Sequence, residues 1–365
     1  MKKFLSRIVE EFTGGKASLP KSSTRIFRLT GLFLIFLNQL FLARLIGAKG
    51  FGDYTVIFTW INLIIASCML GFDTSVFSLQ PATPNEEQLK KLKGFMRFSK
   101  QAIILLSILC SVLMLILLIN NSVRYGVTFS ETLFWALLLL PFLALSCFYS
   151  AVLQALQRIK SSLIPLTILL PVSVSVACFV YYKLHHDILK VDAAMFICLC
   201  CTLFVFMIIS RMLKKYLRQL QNVTEEYNRR EWVMKSLPHL AVTVFNFILK
   251  RSDVLFISYY FGNTRAGIYA VAYLLASLIP VLISIPESRY IMQFRESKDD
   301  LQPEKWNQLI MQSGKSVLSF ILPVALIIIV FGKFILQLFG TAFIAAYVPL
   351  IILIIGLFYY YCYID

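Results

Sequence analysis

The chain has 365 residues, 59% of them apolar and 15% charged, with a mean hydropathy of +0.76 and 35 Lys and Arg against 19 Asp and Glu. A water-soluble globule has no place for that much apolar surface, so the composition excludes one and defines a polytopic membrane protein. The positive excess alone would suit a nucleic-acid binder, and only its distribution along the chain can decide.

A helix crosses a hydrocarbon core with about 20 mostly uncharged residues. In chain order such segments fall near 26–46, 54–77, 102–120, 132–153, 163–182, 193–213, 239–261, 267–286, 316–338 and 344–364, predicting about ten transmembrane helices. The runs are continuous Leu, Ile, Val and Phe rather than alternating, which selects helices over a barrel. The fold class predicted is therefore an all-α polytopic membrane protein with no soluble domain. The first 30 residues show no short apolar core followed by a small-residue cleavage site.

The charge follows the membrane. Residues 1–28 hold seven Lys or Arg, 80–102 five, 154–162 two, 211–237 seven and 287–315 five, which is 26 of the 35. The intervening loops are poor in cations. The positive-inside rule then places the amino terminus and every second loop in the cytoplasm. The expected partners of these loops are membrane lipid headgroups, and no nucleic acid is expected.

Two stretches read Gly-x4-Gly-x-Tyr at a separation of 215 residues: Gly47, Gly52, Tyr54 and Gly262, Gly267, Tyr269. Six predicted spans separate them, so both copies cross in the same direction. The pattern predicts two parallel six-helix repeats around a central cavity, the second repeat truncated. The expected organisation is an N-terminal six-helix bundle over 1–213, a cytoplasmic connector over 214–237 and an incomplete C-terminal bundle of four helices over 238–365. Within the connector, Trp232 stands where an interfacial helix would bury a ring, a solvated linker being the alternative.

Catalytic motifs are missing. The sequence has no GxxxxGK[ST] loop, no GxSxG elbow and no carboxylate pair at helical spacing inside a span, so no enzyme and no cofactor are expected. The eight cysteines fall almost wholly in apolar runs, and they form no paired CxxC constellation, Cys198-x-x-Cys201 standing alone inside a span. His185, His186 and Asp187 are better explained as a solvated loop turn than as metal ligands, and no metal is assigned.

The costliest residues are Lys250 and Arg251, midway along the span 239–261, each charging about 2.5 to 3.5 kcal/mol on insertion scales. Asp253 follows Lys250 by three positions, close enough on the helix surface for an ion pair, and Asn246 precedes it by four, a polar stripe expected to face the bundle interior. Shifted by 215, Asn38 and Gln39 occupy the places of Asp253 and Val254, with Arg28 near one end of that first span and Arg44 near the other. Together these residues are candidate binding groups in a cavity with more positive than negative charge, suited to a phosphate or pyrophosphate. The alternative is a buried ion pair that only pins helix packing. Gln154, Gln157 and Arg158, and Glu287 and Arg289, are gate candidates, solvated loop ends being the plainer reading.

Several of these segments carry a resemblance. Arg251-Ser-Asp253 leading through Ile257 and Gly262 to Gly267-Ile-Tyr269, Leu42-Ala-Arg44 through Gly47 to Gly52-Asp-Tyr54, and Leu338-Phe-Gly340 with Ala345-Ala-Tyr347 resemble bacterial polysaccharide flippases of the O-antigen and capsule type. That family belongs to the multidrug/oligosaccharidyl-lipid/polysaccharide exporter superfamily. The resemblance implies a multi-pass protein of the bacterial inner membrane that moves undecaprenyl-pyrophosphate-linked oligosaccharide by alternating access for surface polysaccharide synthesis. Polysaccharide polymerase and glycosyltransferases are its implied partners. It also implies at least twelve spans, and the counterparts of 163–182 and 193–213 would fall beyond Asp365, so a shortened chain is expected. A cation-coupled multidrug antiporter of the same superfamily, a peptidoglycan-precursor flippase and a non-transporting scaffold of a glycan-assembly complex stay open on sequence alone.

Overall fold

The computed structural model describes residues 22–79, 86–125, 127–185, 189–218, 226–280 and 303–363. Ten helices and no strand are present among them. In hydrocarbon every backbone N–H and C=O must find its partner within the chain, and helices meet that requirement segment by segment.

Helix α1 runs Ser22–Cys68 and holds the first two predicted spans. They are separated by a kink rather than a loop, because Gly47 takes φ 77° and ψ 170° and the chain resumes its helix at once. Only glycine reaches that conformation without strain. Leu70 (φ 49°) and Gly71 (φ 72°) break the chain again before the short α2, Phe72–Ser78. Then follow α3 (Glu86–Tyr125), α4 (Val127–Ala155), α5 (Ile159–His185, with a π-helical turn at Ile164–Leu169) and α6 (Val191–Leu217). The second part of the chain contributes α7 (Arg229–Phe261), α8 (Asn263–Ala276), α9 (Pro303–Phe339), a 3-10 turn at Thr341–Ala346 and α10 (Tyr347–Tyr363).

Among the described residues seven helical stretches are long and apolar enough to cross a membrane, and the 40-residue stretch in α1 accounts for two of the predicted spans. The chain is a multi-pass membrane protein. Helix α7 fails that apolar criterion, and its middle carries Lys250, Arg251 and Asp253. The predicted span 267–286 starts in α8 and continues into residues outside the described ones. At 33 residues α7 is about 50 Å long, more than the roughly 30 Å of hydrocarbon, so it projects beyond the bilayer at its Arg229 end. There Glu231 sits in the first turn, where an acid complements the helix dipole. Lys235, 2.5 Å away, holds its carboxyl below the ordinary range. Trp232 is buried, but against protein: its ring meets Phe95 edge-on at 5.6 Å and lies 5.9 Å from Phe98.

Packing in the first six spans is dense. Helices α4 and α6 lie along one another through Trp135 on Phe196 (4.8 Å) and Phe142 on Phe206 (5.7 Å). Helix α1 packs on α5 where Gly31 leaves room: a Cβ there would stand 2.8 Å from Thr167. Seven positions along, Ser175 donates to Asn38 Oδ1 at 2.8 Å. The outward faces are large and apolar, as at Leu105, Leu249 and Val330, which suits acyl chains rather than water.

Helices α7 and α8 join the rest chiefly through α1. Gly262 repeats the unusual backbone of Gly47, at φ 87° and ψ 160°. Gly52 and Gly267, five residues after each, are in direct contact across the α1–α8 crossing: a Cβ on Gly267 would lie 2.6 Å from the Gly52 Cα. Small residues permit the close backbone approach on which helix association in lipid depends.

Candidate functional site

Two contacts hold α7 and α8 against α1 and α2, and a cavity of about 550 Å³ opens between them. At the first, Asn263 donates to Asp53 Oδ1 at 2.6 Å and accepts from Ser258 Oγ at 2.5 Å, beside the Gly52–Gly267 approach. At the second, the Gly71 backbone lies against Ser236–Leu240, and two buried hydroxyls, Ser75 and Ser236, bond at 2.8 Å.

Helix α1 supplies one wall. Asn38 and Gln39 stand before the kink, and Thr55, Thr59 and Asn62 after it at spacings of four and three, which places them on one helix face. The two threonine hydroxyls and one Asn62 N–H already donate to the backbone: Thr55 Oγ1 to Phe51 O (2.7 Å), Thr59 Oγ1 to Thr55 O (2.8 Å) and Asn62 Nδ2 to Phe58 O (2.8 Å). Toward the cavity the threonines therefore offer oxygen lone pairs and the amides both an oxygen and N–H groups, partners for a ligand rich in hydroxyls. Tyr54 lines the same wall, with Cys198 and Thr202 of α6 and apolar residues of α4 and α5 closing it.

Helix α7 supplies Thr243, Phe247 and Arg251, which fall on one stripe four residues apart. Among the described lining residues Arg251 alone is charged. Its guanidinium carbon lies 4.6 Å from the centroid of the Tyr273 ring, a cation–π contact that helps hold the head group in place. No acidic side chain among the described residues pairs with it.

The sequence-predicted candidates divide. Asn38, Gln39 and Arg251 come together in the cavity. Lys250 and Asn246 do not line it; both are exposed on α7. The expected Lys250–Asp253 pairing is corrected: Asp253 Oδ1 accepts from the Val254 N–H at 2.8 Å and Oδ2 from the Tyr269 hydroxyl at 2.5 Å, so its carboxylate braces α7 on α8. Arg44 likewise lies outside the cavity, its Nε bonding the Leu338 carbonyl near the end of α9 at 2.5 Å. The backbone of Arg28 belongs to α1, but its side chain lies outside the described residues, as do Glu287, Arg289, His186 and Asp187. Gln157 takes φ 61° at the α4–α5 break, and Arg158 lies 5.0 Å over Tyr216. Thr55, Thr59 and Asn62 escaped the sequence reading, although their spacing in an apolar span is a detectable polar stripe. Tyr273, 22 positions from Arg251, gave no local signal.

These features define a class, an α-helical membrane protein with a cavity at the junction of its two parts whose mostly apolar lining carries a polar stripe and, among the described residues, one cation. Residues 24–290 match the family described as polysaccharide biosynthesis protein, and the chain belongs to that family. No curated protein matches. Among solved structures, an inward-facing multidrug resistance MATE family transporter of the MOP superfamily superposes with a TM-score of 0.59 at 16% identity, over 93% of this chain and 84% of that one. An outward-facing structure of a MATE family transporter gives 0.55 at 13%, over 99% and 79%. A MOP superfamily transporter from Pyrococcus furiosus, described by a reverse polarity of its binding pocket, gives 0.54 at 12%, over 95% and 77%. These likenesses establish a shared fold.

Proposed function

We propose that the protein is a flippase for undecaprenyl-pyrophosphate-linked oligosaccharides, working by alternating access in the bacterial inner membrane with its amino terminus in the cytoplasm. Arg251 carries the reading: a guanidinium held over the Tyr273 ring, with no acidic partner among the described residues, in a cavity whose other described polar groups are hydroxyls, amides and a thiol. Arginine meets a phosphate bidentately, and the low dielectric of the membrane strengthens the pairing. The polar wall of Thr55, Thr59 and Asn62 complements sugar hydroxyls. For a cationic drug the same cavity is repulsive, since Asp253 is engaged with Tyr269 and does not line it. The 1–213 and 238–365 bundles would rock about α1, the Asp53–Asn263 contact and the Ser75–Ser236 contact opening in turn.

The test is complementation of a flippase-deficient bacterium, scoring surface polysaccharide against accumulated lipid-linked intermediate. Arg251→Ala abolishes surface polysaccharide at normal membrane abundance, and Arg251→Lys retains part of it. Unchanged polysaccharide in Arg251→Ala overturns the assignment.

A further inference from the structure

The seam between α1 and α7 has two faces. On its inner side is the Arg251 cavity; on its outer side lies a second groove of about 370 Å³, lined by Trp60 and Leu63 of α1 and by Ile248, Leu255, Phe256 and Tyr260 of α7. Its lining carries no charge. Phe247 lines both spaces, and Ser252, the neighbour of Arg251, lines the groove. The surfaces alternate as helix geometry requires: Thr59 and Asn62 face the cavity while Trp60 and Leu63 face the groove. A groove running from Phe247 to Tyr260 extends about 20 Å along α7. Its aromatic walls are open to the outside, Tyr260 at 70% and Phe256 at 62% exposure.

We propose that this groove seats the polyprenyl tail of the substrate while the pyrophosphate occupies the Arg251 cavity, with Phe247 as the partition that turns aside to let the linkage pass. The inference rests on the flippase reading. It is carried by the continuity of an uncharged groove with a cationic cavity through one shared side chain, the polarity sequence of a molecule that is hydrocarbon at one end and polyanionic at the other. A tail already dissolved in the bilayer gains no hydrophobic free energy by entering the groove. The groove's contribution is shape: flat aromatic walls pack a stiff, methyl-branched chain, and seating the tail brings the anionic end to Arg251.

The experiment uses the full chain in nanodiscs and two probes, undecaprenyl pyrophosphate and the short-chain geranyl pyrophosphate, with binding followed by microscale thermophoresis. Ser252→Trp and Leu255→Trp each fill the groove. The expected result is at least tenfold weaker binding of the long-chain probe in both variants with geranyl pyrophosphate unchanged, the short probe also certifying an intact fold. A benzophenone-bearing polyprenyl pyrophosphate should cross-link to residues 248–260 of unsubstituted protein, and excess phosphatidylglycerol should not displace it. Long-chain binding that survives both substitutions, or cross-links spread evenly over the outer helices, overturns the groove while leaving the Arg251 site standing. Loss of neither probe on Arg251→Ala would instead remove the reading beneath it.

Discussion

Replacing Gly52 by alanine is the sharpest test of the crossing that joins the two parts of the molecule. A Cβ at this position would stand 2.1 Å from the Asn263 carbonyl oxygen and 2.6 Å from its carbon, whereas ordinary contact begins near 3.4 Å. The obstacle is backbone, so no rotamer change relieves it, and the helices must part by more than an ångström or tilt. Overpacking of this kind costs about 1 to 3 kcal/mol. Alanine recovers up to about 1 kcal/mol through its better helix propensity. The net expectation is a loss of about 1 kcal/mol, close to a fivefold shift in an equilibrium constant, and the 2.6 Å Asp53–Asn263 hydrogen bond should be weakened with it. Unfolding of the purified protein by SDS in mixed micelles measures this, with Gly356→Ala as the control because nothing lies within 4 Å of that site. The control should be neutral or slightly stabilised. Equal unfolding midpoints for Gly52→Ala and Gly356→Ala would refute the close approach of α1 and α8.

Gly47→Ala and Gly262→Ala meet no atoms within 4 Å, yet each should cost about 1 to 3 kcal/mol in the same assay, and asparagine should fare no better, because their backbone angles are those of glycine alone. Ser75→Ala and Ser236→Ala each strand a buried hydroxyl and should cost about 1 to 3 kcal/mol singly. The double replacement should cost less than their sum, by at least about 0.5 kcal/mol in a double-mutant cycle. Lys250→Ala should leave surface polysaccharide near the unsubstituted level under conditions where Arg251→Ala removes it, and equal losses would contradict the placement of Lys250 outside the cavity lining.

The spans were legible because the bilayer demands long apolar runs, and the paired Gly-x4-Gly-x-Tyr stretches marked the positions of two matching kinks. Arg251 was legible as a charge too deep to be incidental. Its neighbour was misplaced for a geometric reason: consecutive helix residues diverge by about 100°, and it is Arg251 that falls on the Thr243–Phe247 stripe lining the cavity. Asp253 was assigned a partner on its own helix, three residues back, while its carboxylate is claimed by Tyr269 from the next helix. Arg44 finds a carbonyl 294 positions away. Contacts of that range leave no trace in local spacing. The second predicted span began as a separate helix, because a glycine pair in sequence signals a loop as readily as the single φ 77° hinge observed at Gly47.

The π-helical turn at Ile164–Leu169 sets the angular phase of everything in α5 that follows it. One surplus residue is wound into that turn, so deleting one would leave Leu170–His185 facing as they do now, whereas relaxing all six residues to a regular α-helix would swing that segment round by about 100°. Ser175 would then point away from Asn38, and the apolar flank of the cavity at Leu170 and Val174 would be exchanged for the side now turned outward. The irregular turn thus acts as a clocking element, a one-residue offset that keeps the lower half of α5 dialled to its partner helix.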